Sequence, residues 1–140
     1  FVGFVDRVDL AEDGTLHLVD YKTGRPRSQE AVDADRQLTA YAWAAARGAL
    51  RDPANGATLP PASRLALYFA EPGLELATTR SEEQLAAFEA DLRAMVAAVR
   101  RRAFDARPSE GACRWCDYAA RCPDAAWRPA APLTPREGLR

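Results

Sequence analysis

The sequence predicts a mixed α/β fold, a short sheet flanked by helices, and three observations predict it. A strand-like run over residues 1–10 is followed by a turn signal and a second strand over residues 16–22. An alanine-rich helical stretch then separates this hairpin from two further strands. A long helical stripe closes the series. Strands and helices that alternate in this way pack as layers around one core, and 140 residues is one domain's worth of chain.

In the first strand Val2, Phe4, Asp6 and Val8 share one face, and Gly3, Val5, Arg7 and Asp9 the other. Glu12-Asp13-Gly14 is the turn and Leu16–Lys22 the second strand. A two-residue Asp13-Gly14 turn would pair Asp6 with Tyr21. A three-residue loop places Gly14 in the left-handed position such loops favour, and pairs Val8 with Leu18 and Asp6 with Asp20. The second register sets apolar against apolar and is the preferred one. Residues 23–34 read as a polar loop, and a helix follows over about residues 35–50, ending near Gly48. Residues 51–63 form a loop with three prolines. Strands three and four are expected at residues 64–70 and 74–79, joined by Glu71-Pro72-Gly73. Ser81 and Gln84 fit a capping box at the start of the longest helix. There Leu85, Phe88, Leu92, Met95, Val96 and Val99 form a stripe expected to pack into the core. Arg100-Arg101-Arg102 closes the helix; the run either favours the negative helix end or contacts phosphate.

The composition is that of an ordinary globular chain, with 28% charged residues and a net charge of −1. The charge is uneven: residues 1–99 hold 10 basic and 15 acidic side chains, residues 100–140 hold 9 and 5. A local basic surface can therefore bind phosphate although the total is near neutral. No apolar run approaches the roughly 20 residues of a membrane span, and no stretch of these residues reads as a signal peptide. The start without Met, directly in a strand, reads as a fragment cut inside a domain.

The chemistry concentrates where the second strand turns polar. Leu16, Leu18, Asp20 and Lys22 alternate onto one face, so an acid and a lysine follow two leucines toward the core. Burying either charge alone is costly, so a partner or a metal is required nearby. Lys22 is the only lysine; the other basic side chains are 18 arginines. Lysine is a compact charge whose pKa shifts readily, which arginine is not. In the preferred register the Asp6 and Asp20 Cβ atoms lie about 5 Å apart, a repulsive pairing unless a cation intervenes. Two facing carboxylates suit Mg²⁺ or Mn²⁺. A lysine on the same face can orient a water or offset charge on phosphorus. Spacing, register and face agree on metal-assisted phosphodiester hydrolysis.

The runs Gly3-Phe4-Val5-Asp6-Arg7-Val8-Asp9 and Val19-Asp20-Tyr21-Lys22-Thr23-Gly24 resemble the PD-(D/E)XK nuclease superfamily, in its RecB-like and AddB-like branch. The resemblance implies a restriction-endonuclease-like core, with Asp6 and Asp20 as metal ligands, the Tyr21 carbonyl as a further ligand and Lys22 as the catalytic lysine. Asp9 matches a recurrent acid of that branch but lies on the other strand face, and its role is left open. Gln37 and Tyr41, four apart on one helix face, match a Gln-x-x-x-Tyr element that lines the site and touches DNA. Read without the resemblance, the pair is surface or packing.

Cys113, Cys116 and Cys122 lie within ten residues. So tight and odd a set suits a metal site better than disulfides, and implies a reducing, cytoplasmic setting. Zinc would need a fourth ligand, for which His17 is poorly placed; three buried free thiols are the plain alternative. The resemblance implies instead a [4Fe-4S] cluster whose fourth cysteine precedes residue 1. The division expected is a nuclease core over residues 1–110, a cysteine-clasped segment over 111–128 and a tail over 129–140. The function implied is a Mg²⁺-dependent deoxyribonuclease, an exonuclease of DNA end processing, repair or recombination, with a helicase domain or subunit as partner. A nucleic-acid-binding module with a degenerate site is the alternative, and intact Asp6, Asp20 and Lys22 argue against it. A zinc-bound interaction domain explains the cysteines but not the hairpin.

Overall fold

The structure is a computed structural model and describes residues 3–128. The chain divides into two compact units, Phe1–Val96 and Ala97–Arg140. The secondary structure runs β1 (Arg7–Leu10), β2 (Leu16–Lys22), α1 (Gln29–Asp33), α2 (Arg36–Ala46), β3 (Ala62–Phe69), β4 (Leu74–Thr78), α3 (Glu82–Arg100) and α4 (Glu110–Arg114). In the first unit the strands form one mixed sheet in the order β1-β2-β3-β4. β2 runs antiparallel to β1 and parallel to β3, and β4 runs antiparallel to β3. The parallel β2–β3 step needs a crossover, and α1 and α2 supply it.

The hairpin adopts the three-residue register. Val8 pairs with Leu18 and Leu10 with Leu16, and Gly14 takes φ +81°, open to glycine without strain. β1 is shorter than the sequence pattern suggests. It begins at Arg7, and Gly3–Asp6 lie outside the ladder. The physical reason is a side chain that competes with the strand: Asp6 Oδ2 accepts the Tyr21 N–H at 2.9 Å. Phe1 and Val2 lie outside the described residues.

Residues 23–34 are not wholly loop. Ser28 caps α1 by accepting the Ala31 N–H, and Val32 is fully buried. Asp35 caps α2 through the Gln37 and Leu38 N–H groups. The end of α2 is a Schellman turn: Gly48 (φ +64°) donates to the Ala45 carbonyl and Ala49 to that of Ala44. Inside the 51–63 loop, Arg51 bridges Thr58, and Leu50 and Leu59 pack against the core.

The core lies between the sheet and α1–α2. Leu16, Leu18, Leu38, Leu65, Leu67 and Phe69 are essentially inaccessible, as is Val32. Burial of each such side chain contributes about 1.5–3 kcal/mol. On the opposite sheet face Tyr21 and Tyr68 meet edge to face at 5.6 Å. The capping box of α3 forms as the sequence suggests: Ser81 N–H donates to Gln84 Oε1 and Gln84 N–H to Ser81 Oγ. The α3 stripe does not. Leu85, Phe88 and Leu92 are half-buried, but Met95, Val96 and Val99 are exposed. The 19-residue helix meets the 11-residue α2 through Phe88 against Trp43 and Glu89 on Arg47, and its last turns extend past those contacts.

Two polar nodes tie the elements together. Glu89 on α3 accepts from Trp43 Nε1 at 3.0 Å and pairs with Arg47 and Arg93. Arg80 uses all five of its N–H donors on neutral acceptors: the Thr39 and Thr78 hydroxyls and the Thr79, Val32 and Asp35 carbonyls. No helix among the described residues is long and apolar enough to cross a membrane.

In the second unit Arg102 has φ 55°, a left-handed helix end more usual for glycine. Ser109 caps α4. Arg128 Nη2 donates to the Cys122 carbonyl at 2.9 Å, and Arg114 lies over the Trp127 ring. The tail expected at residues 129–140 lies outside the described residues.

Candidate active site

Asp20 sits near the C-terminal end of β2 and is 2% exposed. It is buried because strand alternation sends it to the face of Leu16 and Leu18, both fully buried. Its Oδ1 accepts from Gln37 Nε2 at 2.8 Å, with the Tyr41 hydroxyl 3.2 Å away. Its Oδ2 has no directed hydrogen bond. Lys22 Nζ stands 2.5 Å from that oxygen, an ion pair off the line that a hydrogen bond needs. Lys22 is only 24% exposed and donates to Gln37 Oε1 at 2.8 Å.

Gln37 therefore uses its whole amide. Its oxygen accepts from Lys22, and its nitrogen donates to Asp20 and, at 2.6 Å, to the Tyr41 oxygen. Lysine can only donate, which fixes the amide orientation. Burial raises the Tyr41 pKa, and the Asp20 charge raises it further against an opposing pull from Gln37. The β1–β2 ladder ends at Arg7↔Val19, and Asp6, just beyond it, is held beside β2 by the bond from the Tyr21 N–H to its carboxylate.

The structure thus brings together Asp6, Asp20, Lys22, Gln37 and Tyr41. Asp9 is elsewhere. It faces the other side of the sheet and grips Arg7 at 2.9 and 2.8 Å. Asp9 first, and then Tyr21, hold the Arg7 pKa above its ordinary value. The three cysteines are free thiols: Cys113 is buried, Cys116 exposed and Cys122 between them. Among the described residues, no three His, Cys, Asp or Glu side chains form a group placed to hold a metal ion. Sequence reasoning missed the Phe4 carbonyl, which accepts from the Tyr41 hydroxyl at 2.7 Å. A backbone acceptor 37 residues away leaves no residue signal.

A divalent ion fits the acid pair. The buried Asp20 Oδ2 has no directed hydrogen bond and relies on Lys22 to balance its charge, and a hard divalent cation is a partner that carboxylate oxygens suit. Asp6 and Asp20 are the residues that would hold it. A four-stranded mixed sheet flanked by helices, with a buried acid and a lysine at the end of an inner strand, defines a restriction-endonuclease-like core. The family profile of the PD-(D/E)XK nuclease superfamily matches residues 1–123, and the chain belongs to that superfamily. No curated protein and no solved structure matches the chain.

Proposed function

We propose that this chain is a Mg²⁺- or Mn²⁺-dependent deoxyribonuclease, an exonuclease that processes DNA ends in cytoplasmic repair or recombination. One observation carries the catalytic part: Asp20 Oδ2 is buried, lacks a directed donor, and lies beside Lys22. Superfamily membership supports nuclease chemistry; the exonuclease role and a helicase partner rest on the RecB-like and AddB-like resemblance. In this reading Asp6, Asp20 and the Tyr21 carbonyl are metal ligands. When bound, the ion supplies a water of lowered pKa and a clamp on a phosphate oxygen. Lys22 is the positive group that offsets charge building on the phosphorus. Gln37 holds Lys22 in place, and Gln37 and Tyr41 line the side along which DNA passes. The core spans residues 1–110, with a cysteine-bearing segment over 111–128.

For Cys113, Cys116 and Cys122 we propose three ligands of a [4Fe-4S] cluster, its fourth thiolate coming from outside these residues. The donor chemistry suits the cluster. Among the described residues the three thiols do not form a group placed to hold a metal ion.

The test is cleavage of DNA with Mg²⁺ by the parent chain, Asp20→Ala and Lys22→Ala. Each variant is expected to fold and to lose cleavage. Undiminished digestion by either one contradicts the assignment.

A further inference from the structure

The Tyr41 hydroxyl has one proton and three polar neighbours. Gln37 Nε2 donates to its oxygen at 2.6 Å, the Phe4 carbonyl lies 2.7 Å away and Asp20 Oδ1 3.2 Å away. One O–H serves one acceptor well, and the shorter distance gives the proton to Phe4. The donors then run in one direction, from Lys22 to Gln37 to Tyr41 to Phe4, each bond polarising the next.

Phe4 matters because Asp6 lies two residues on. Gly3–Asp6 are outside β1, so no ladder fixes the backbone that carries Asp6. Packing does little more: Phe4 is 84% exposed, and of this segment Val5 packs against the core. Among the described residues, two hydrogen bonds hold the rest, one from the Tyr41 hydroxyl to Phe4 and one from the Tyr21 N–H to Asp6 Oδ2.

We propose that Tyr41 is a positioning residue whose hydroxyl ties the Phe4 carbonyl to the Asp20–Gln37–Lys22 network and so sets Asp6 against Asp20. The geometry stands by itself; the consequence for metal affinity rests on the nuclease reading above. The Tyr41 ring lines the site, while the hydroxyl acts through Phe4 on the placement of an acid.

Tyr41→Phe in the full chain removes the hydroxyl and keeps the ring. Hydrogen exchange at the Tyr21 amide, whose N–H goes to Asp6, reads release of the segment without any metal. That amide is expected to exchange roughly fivefold faster, the scale of one lost hydrogen bond, while the Leu18 amide in the same strand is unchanged. Calorimetric Mn²⁺ affinity is expected to fall by about tenfold, as when an outer-shell partner of a metal site is lost. An unaltered Tyr21 exchange rate overturns the proposal whatever happens to the metal. Loss of DNA affinity at unaltered exchange also overturns it, and assigns the hydroxyl to substrate contact. Faster Tyr21 exchange in a chain whose parent binds no Mn²⁺ upholds the positioning role and overturns the nuclease reading instead.

Discussion

Asp20 is a carboxylate in a place built for a leucine. Its neighbours on the same strand face, Leu16 and Leu18, are fully buried, and it is itself 2% exposed with one oxygen lacking a directed donor. Such a group costs stability unless something binds it. Lys22 pairs with it but keeps 24% of its side chain in solvent, so its charge need not be stranded when the acid is neutralised. Asp20→Asn is therefore expected to unfold at a temperature no lower than the parent, while cleavage falls by more than the roughly 10–100-fold cost of losing an outer-shell partner. Thermal melts and DNA digestion on the same preparation check both halves; a lowered midpoint would mean that the acid serves the fold. The place of Asp20 was legible because the two-residue period of a strand assigns faces directly. The bond from Tyr41 to the Phe4 carbonyl was not, because a backbone acceptor is the same at every residue type.

At the scale of elements, legibility followed the strength of local chemistry. The Gly14 loop, the Gly48 helix end and the Ser81–Gln84 box were readable because each rests on a few adjacent residues with specific geometry. The helix α1 was not: five residues with one buried apolar side chain give no helical period. The α3 stripe had the period, yet periodicity cannot say how far a partner surface extends, and Met95, Val96 and Val99 are exposed. What joins α2 to α3 is instead partly polar. Arg47 first, then Trp43 and Arg93, pull the Glu89 pKa from 4.5 to about 2. A carboxyl depressed in the folded state adds stability that is full above its unfolded value and fades as pH falls through the folded one. The parent's unfolding midpoint is thus expected to fall between pH 4.5 and 2 more steeply than that of Glu89→Gln. Parallel curves over that window would show that the node contributes nothing.

For the whole molecule, the fold class was readable because strands and helices alternate, and superfamily membership now stands on residues 1–123. The four-stranded sheet serves the site by setting β2 between β1 and β3. One neighbour then continues toward Asp6, and the crossover after β2 returns Gln37 and Tyr41 over Asp20. Two elements and a loop edge, separated in sequence, thus meet around one buried acid. The cysteine segment contributed a strong sequence pattern, but its three side chains differ in exposure and form no common site among the described residues. The central claim is that Asp6 and Asp20 together make one divalent-metal site. Mn²⁺ titration followed by electron paramagnetic resonance tests it most directly, on the parent chain, Asp6→Ala and Asp20→Ala. One Mn²⁺ is expected to bind per parent chain and to be lost in both variants, with DNA cleavage rising along the same titration. Equal Mn²⁺ binding by the parent and Asp20→Ala, or cleavage by the parent in excess chelator, would contradict it.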